Sequence, residues 1–155
     1  MLPMRRVGCT AELFAMSLDF DSAYQMVANQ PLSTLLGARV TAYTTEMVEI
    51  QLPISPDLAN QHGFVHGGGL AFMADNTLTL AGSLALGAEI VTSEFKINFL
   101  RPAMGGTLIA RARVLHGGKR QAVCQCDIYC SKDGQEKLCA VAQGTISRIG
   151  SPTQG

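Results

Sequence analysis

Apolar and polar residues alternate from Met47 to Leu52, with Val48, Ile50 and Leu52 on one face and Glu49 and Gln51 on the other. A period of two predicts a strand with one buried face. The pattern returns in Ile90 to Leu100, which sets Val91, Ser93, Phe95, Ile97 and Phe99 against Glu94, Lys96 and Asn98. Thr107 to Leu115 turns Leu108, Ala110, Ala112 and Val114 inward and Arg111 and Arg113 outward. Ala122 to Cys130 and Leu138 to Ile146 follow, the last with small inward residues at Ala140, Ala142 and Gly144. His116 to Arg120, and Ser131 to Gly134 with its Asp-Gly pair, predict hairpin turns. Arg101 to Gly106 reads as a further turn.

Gly67 to Leu86 has a different pattern. Leu70, Phe72, Met73, Leu78, Leu80, Leu84 and Leu86 lie on every side of a helical wheel. That distribution predicts one long helix buried all round, with Gly87 as its C-terminal cap. Upstream, Asp19 or Asp21 caps a short helix through Ala28, which Asn29, Gln30 and Pro31 stop. Leu35 to Thr44 reads as a strand. The order is a helix, two strands, one long helix, then four strands joined mainly by tight turns. This predicts an α+β class in which a curved, mostly antiparallel sheet wraps around one central helix. Residues 1–34 form an N-terminal arm and short helix, 35–148 a single domain, and 149–155 a disordered tail.

Composition narrows the function. The 155 residues suffice for one domain with a real core. Lys and Arg number 12 and Asp and Glu 12, so there is no broad basic field for nucleic acid. Only 15% of residues are charged against 47% apolar, which points to apolar surface covered by a second copy of the chain. The longest apolar stretch carries Asp75, Asn76, Thr77, Thr79 and Ser83, against a membrane span, and Glu12 interrupts the first apolar run, against a secretory signal. A cytoplasmic protein is expected. Cys124, Cys126, Cys130 and Cys139 read as free thiols packed as small hydrophobes. No metal is expected: His62 and His66 have ligand spacing but lack a third ligand.

Asp75 is the only Asp, Glu, Lys or Arg between Asp57 and Glu89. Burying an uncompensated carboxylate costs several kcal/mol, so its presence on an apolar helix calls for a function. A glycine-rich helix start at Gly67 and Gly68 presents N–H groups and a positive dipole end that suit a developing oxyanion.

Asn60, then His66-Gly67-Gly68, then Asp75, followed by Phe99-Leu100-Arg101-Pro102, resembles the hotdog-fold acyl-CoA thioesterases, within them the PaaI-like branch. The similarity spans roughly residues 35–148. The resemblance implies a thioester hydrolase acting on acyl-coenzyme A, without a cofactor, assembled as a homodimer or homotetramer. By position it implies Asp75 as the catalytic general base or nucleophile, and the Gly67 N–H as the group that polarises the thioester carbonyl. It further implies Asn60 and His66 as groups that position substrate and water, and Ser93 as a polar side chain holding the water. The alternation of Ile90 to Leu100 turns Ser93 inward, toward the helix and Asp75.

Gly67 and Asp75 are eight residues apart, hence ~12 Å along a straight helix at ~1.5 Å per residue. One thioester cannot touch both, so the expected site is shared between two protomers related by a two-fold axis. Gly68, Phe72, Phe95, Lys119 and Arg120 are the candidate substrate-binding residues. The two cations face the coenzyme A phosphates, with Arg101, Arg111 and Arg113 as alternatives. Phe64, Met73 and Leu78 join Phe72 and Phe95 around the acyl group. The competing reading is a non-catalytic acyl-CoA sensor on the same fold, which a thiol-release assay distinguishes.

Overall fold

The computed structural model describes residues 18–150. The expected N-terminal arm and most of the expected tail lie outside them. Ile149 is still held, its N–H donating to the Glu89 carbonyl at 2.9 Å.

Helix α1 (Phe20–Ala28) starts where Asp19 accepts the Ser22 N–H at 2.8 Å. The sequence reading then needs a correction. Pro31 does not only end α1; it opens a second helix, α2 (Pro31–Leu36), at a position where its missing N–H costs nothing. Gly37, at φ 81°, closes α2 with its N–H on the Ser33 and Thr34 carbonyls. Strand β1 (Arg39–Tyr43) therefore begins later than the expected residue 35.

Strand β2 (Val48–Pro53) buries Val48, Ile50 and Leu52 completely, as its alternation predicts. Helix α3 (Gly67–Leu86) is followed by β3 (Ile90–Phe99), β4 (Thr107–Gly117), β5 (Gln121–Lys132) and β6 (Gln135–Arg148). All six strands form one antiparallel sheet in the order β1-β2-β4-β5-β6-β3. Strand β3 thus lies at the far edge beside β6, not beside β4. Arg101–Gly106 is accordingly a crossing connection rather than a hairpin turn. It passes the ends of β6 and β5, where Leu100 and Arg101 N–H groups donate to the Cys139 carbonyl at 2.8 and 3.1 Å.

Helix α3 lies against β2, β3, β4, β5 and β6, and this layer is the core. Gly82 allows the closest approach: a Cβ there would come within 2.6 Å of the Ile146 side chain. Gly144, expected to make room for the helix, answers instead to the neighbouring strand, where its Cβ would meet the Glu94 carbonyl at 2.6 Å. Cys124, Cys126, Cys130 and Cys139 are free and buried. Burial pushes the Cys124 thiol up to about 11, which keeps it protonated and unreactive.

The helix is not buried all round. Leu70, Met73, Ala74, Thr77, Leu78, Leu80 and Ala81 are buried, but Ala71, Phe72, Asp75, Asn76 and Thr79 form a half-exposed stripe. Asp75 therefore stands on a partly open face, not deep in the core. The apolar pattern hid this stripe because Ala71 and Phe72 count as core residues in any hydropathy reading.

Candidate active site

The segment before α3 is held by its own backbone. After a 3₁₀ turn at Pro56–Leu58, Asn60 Oδ1 accepts the N–H groups of His62 at 2.9 Å and Phe64 at 3.2 Å. The Asn60 N–H donates to the Phe64 carbonyl at 2.7 Å. Such a side-chain-to-backbone turn fixes a short loop at little cost. It also consumes the Asn60 carbonyl oxygen, leaving the side-chain Nδ2 as the group able to face a substrate. Val65 then donates to the Ala103 carbonyl at 2.9 Å, tying the loop to the β3–β4 connection.

A helix start leaves its first N–H groups without intrahelical partners, and here each can be followed. The His66 N–H donates to the Leu58 carbonyl at 2.7 Å. The Gly68 N–H donates to His66 Nδ1 at 2.8 Å, so His66 is the N-cap. The Gly69 N–H donates to the His66 carbonyl at 2.9 Å. Among the described residues only the Gly67 N–H of this first turn is left without an acceptor. The spare donor is the one that the motif assigns to the thioester carbonyl. Gly68, the other glycine proposed for substrate, has its N–H committed to the cap. A Cβ on Gly67 would lie 3.3 Å from the Phe99 ring, so the absence of a side chain keeps that corner open.

The His66 cap has a chemical consequence. Nδ1 accepts a hydrogen bond, so in the neutral ring the proton sits on Nε2. The exposed Nε2–H is then the ring's free donor.

Asp75 lies two helical turns on. Its backbone carbonyl accepts Thr79 Oγ1 at 2.8 Å, and Thr79 Oγ1 also bonds Thr92 Oγ1 on β3. Ser93 is elsewhere. The β3–β6 register slips between Thr92 and Glu94, a bulge that reverses the face of every earlier residue on the strand. Ser93 consequently points away from α3 and bonds Ser147, which also accepts from Gln121. Val91, expected inward, is 48% exposed for the same reason. The polar group that strand β3 presents to α3 is Thr92, which meets Thr79 one turn beyond Asp75, and simple alternation missed both. Their signal was a second hydroxyl one residue before Ser93 and another one helical turn after Asp75.

The other candidates divide. Phe72 and Phe95 are partly buried against the core and remain available to a substrate, as does Phe64. Met73 and Leu78 are fully buried and serve packing instead. Lys119 and Arg120 are exposed in the turn between β4 and β5, next to Gln121, which bonds Ser147, the partner of Ser93. Arg111 is committed: it bonds Glu49 at 2.7 Å and Glu136 at 2.7 and 2.9 Å, and its guanidinium lies 5.2 Å from the Tyr129 ring centroid. Arg113 bonds Gln125 at 3.1 Å. Among the described residues no cluster of three or more His, Cys, Asp or Glu side chains is arranged to hold a metal, and no helix is long and apolar enough to cross a membrane.

Neither of the two principal cavities in the described chain is lined by Gly67, Asp75 or Phe72.

Comparison with known proteins bears on the fold and the family. Residues 62–137 match the family model described as Thioesterase superfamily. The chain is 30% identical over 137 residues to the acyl-coenzyme A thioesterase PaaI of Escherichia coli, covering 88% of this chain and 95% of that one. The structure of E. coli PaaI, from the phenylacetic acid degradation operon, superposes with a TM-score of 0.75 at 31% identity, covering 84% of this chain and 92% of that one. A thioesterase family protein of Silicibacter pomeroyi gives a TM-score of 0.76 at 33% identity, over 83% and 99% of the two chains. The matching family model, the relative at 30% identity over nearly the whole chain and the shared hotdog architecture converge: the chain belongs to the thioesterase superfamily of thioester hydrolases, in its PaaI-like branch.

Proposed function

We propose that this chain hydrolyses an acyl- or aryl-coenzyme A thioester to the free acid and coenzyme A, at a site shared between two protomers. The Gly67 N–H and the positive end of α3 receive the thioester oxygen as it gains negative charge. Asp75 of the other protomer takes a proton from water, whose oxygen bonds to the carbonyl carbon. Collapse of the tetrahedral intermediate breaks the C–S bond, and coenzyme A leaves as the thiolate. If Asp75 instead attacks directly, an acyl-aspartate forms first and water then cleaves it. Single-turnover hydrolysis in oxygen-18 water tests the second route: heavy isotope in the Asp75 carboxylate requires direct attack, with water then adding at the aspartyl carbonyl of the mixed anhydride.

The observation that carries this reading is the single unpartnered N–H at Gly67, set against a carboxylate ~12 Å further along the same helix at ~1.5 Å per residue. A reacting carbon needs both groups within hydrogen-bonding reach, and one straight helix cannot supply that. Two antiparallel copies of α3, meeting along their half-exposed stripes, supply it twice. The open stripe of Ala71, Phe72, Asp75, Asn76 and Thr79 supports such a meeting. Thr92, braced by Thr79, takes the water-holding role first given to Ser93. Phe72 and Phe95 contribute to an apolar acyl pocket that the second copy completes.

A thiol-release assay over a panel of acyl- and aryl-CoA thioesters tests the activity. Turnover that survives unchanged in both Asp75→Ala and Asp75→Asn would sink the mechanism. Binding of these thioesters without any turnover would favour the sensor reading.

A further inference from the structure

The larger cavity of the described chain, about 460 Å³, lies where the β3–β4 connection crosses the ends of β6 and β5, and two free thiols, Cys130 and Cys139, stand on its wall. They are neighbours across the β5–β6 pair. A regular register would leave them diagonal, but the slip at Ile128 and Tyr129 makes Cys139 an extra residue on β6. Cys139 therefore turns to the buried face and lies closer to Cys130 than a regular diagonal allows. Burial pushes the Cys139 thiol up, and the Cys130 side chain beside it adds to that. Cys124 and Cys126, by contrast, are sealed in the core and line neither principal cavity.

Both cysteines also fasten the connection that passes over them. The Cys139 carbonyl accepts the Leu100 and Arg101 N–H groups at 2.8 and 3.1 Å, which holds its start. The Cys130 thiol donates to the Gly105 carbonyl at 3.4 Å and lies 3.9 Å from the Met104 carbonyl, which holds its end. Between the two fastenings the Ala103 carbonyl receives the Val65 N–H at 2.9 Å, just ahead of Gly67. A change at the thiols therefore reaches the segment that carries the spare N–H through one short connection.

We propose that Cys130 and Cys139 form a reversible disulfide when a hydroperoxide enters the cavity, and that this bond slackens the support of the Gly67 donor. Cys130, 9% exposed against 0% for Cys139, is attacked first. Its sulfur bonds to one peroxide oxygen, the O–O bond breaks, and the other oxygen leaves with the thiol proton as water or an alcohol. Arg101, Lys132 and Lys137 line the same cavity and stabilise the departing oxygen as it gains negative charge. The Cys139 sulfur then attacks the Cys130 sulfenic acid, the S–S bond forms, the S–O bond breaks, and water leaves with the second thiol proton. The two thiols lose the two electrons that the peroxide gains. The disulfide removes the S–H that reached the Gly105 carbonyl and draws Cys130 toward β6, so the end of the connection loses its fastening. The effect on catalysis rests on the proposed hydrolysis; the disulfide itself does not.

Titration of the unaltered chain with hydrogen peroxide tests it, read by intact mass, by peptide mapping without reductant and by amide hydrogen exchange. We expect a loss of about two mass units per chain, reversed by dithiothreitol. Trypsin should then release Gln121–Lys132 joined to Leu138–Arg148, with fragmentation placing the bond between Cys130 and Cys139. The Val65 amide should exchange at least about tenfold faster in the disulfide form, and acyl-CoA turnover should fall until reductant restores it. Cys130→Ser and Cys139→Ser should show neither the cross-link nor the reversible loss, whereas Cys126→Ala should respond as the unaltered chain. Because the cross-link is read on the unaltered chain, poor folding of a variant does not blunt the test. Bonds at other cysteines instead, or oxygen added to single thiols without a cross-link, would overturn the proposal. So would a Cys130–Cys139 bond that leaves Val65 exchange unchanged. If the bond forms and Val65 exchange rises, but the reduced chain hydrolyses no acyl-CoA, the switch stands and the hydrolase reading falls.

Discussion

The two ends of the working stretch are built in different ways. From Asn60 to Gly69 nearly every polar group is spoken for: Asn60 Oδ1 holds two backbone N–H groups, and His66 caps the helix with both its ring and its carbonyl. What remains is one backbone donor at Gly67, fixed by everything around it. The Asp75 end is the reverse, a side chain on a half-exposed stripe, with the Thr79–Thr92 pair one turn further along the helix. The first end is pre-organised within one chain; the second is open, and in the proposed shared site a second chain would complete it. A donor for an oxyanion works best when it cannot reorganise, whereas a carboxylate acting on water needs a surface at which substrate and water can enter.

The contrast predicts how each end should fail. Asp75→Asn, nearly isosteric, should lower kcat by roughly 10² to 10⁴, the range for removing a positioned acid–base group, with little change in melting temperature. At the other end, Gly67→Pro deletes the spare N–H at a helix position that favours proline, and His66 at ψ 140° already has the backbone a following proline requires. Steady-state kinetics should show a loss of about 10² to 10³ in kcat. Gly67→Ala is its control, since it keeps the N–H and adds only a methyl against Phe99. Equal loss in the alanine and proline variants would mean that crowding, not the N–H, explains the effect.

Mixing the two damaged ends tests whether they meet across chains. An Asp75→Ala chain co-refolded with a Gly67→Pro chain should regain about one working site per heterodimer, each parent being nearly inactive. A mixture shown by mass spectrometry to contain heterodimer, yet no more active than its parents, would place both groups in one chain's site. Asn60 offers a finer division. Asn60→Asp keeps the oxygen that holds the loop and removes Nδ2, whereas Asn60→Ala removes both. Loss of activity with unchanged melting temperature in Asn60→Asp indicates a donor to substrate; if only Asn60→Ala is impaired, the residue is a loop fastener. The smallest effect should fall on strand β3. Thr92→Val should cost roughly two- to tenfold in kcat, the worth of one hydrogen bond, while Ser93→Ala stays near the unaltered rate. The opposite order would restore the inward Ser93.

Much of this was readable before any coordinates. The alternation of Val48, Ile50 and Leu52, the parity of Cys124, Cys126 and Cys130, and the span of α3 follow from the requirement that apolar groups leave water at the period of their backbone. The motif from Asn60 to Asp75 named the candidate groups, and helix geometry alone showed that Gly67 and Asp75 are too far apart to act on one thioester from one chain. Local chemistry was enough for these.

Other features depended on what the chain meets in space. A bulge moves Ser93 off the helix-facing side and leaves Thr92 there, because one extra residue inverts a two-residue period. The far-edge position of β3 turns Arg101–Gly106 from an apparent hairpin into a crossing connection and makes a cavity of it with the β5–β6 turn. Which cations are free is likewise a matter of neighbours: Arg111 is neutralised by carboxylates 62 and 25 residues away in the chain, while Lys132 and Lys137 have none. The sequence by itself determined the periods, the helix and the candidates for the reactive groups, since these depend on each residue and its near neighbours. Strand order, register and the open stripe of α3 were decided only by the tertiary structure, because they arise from contacts between segments whose pairing no local pattern encodes.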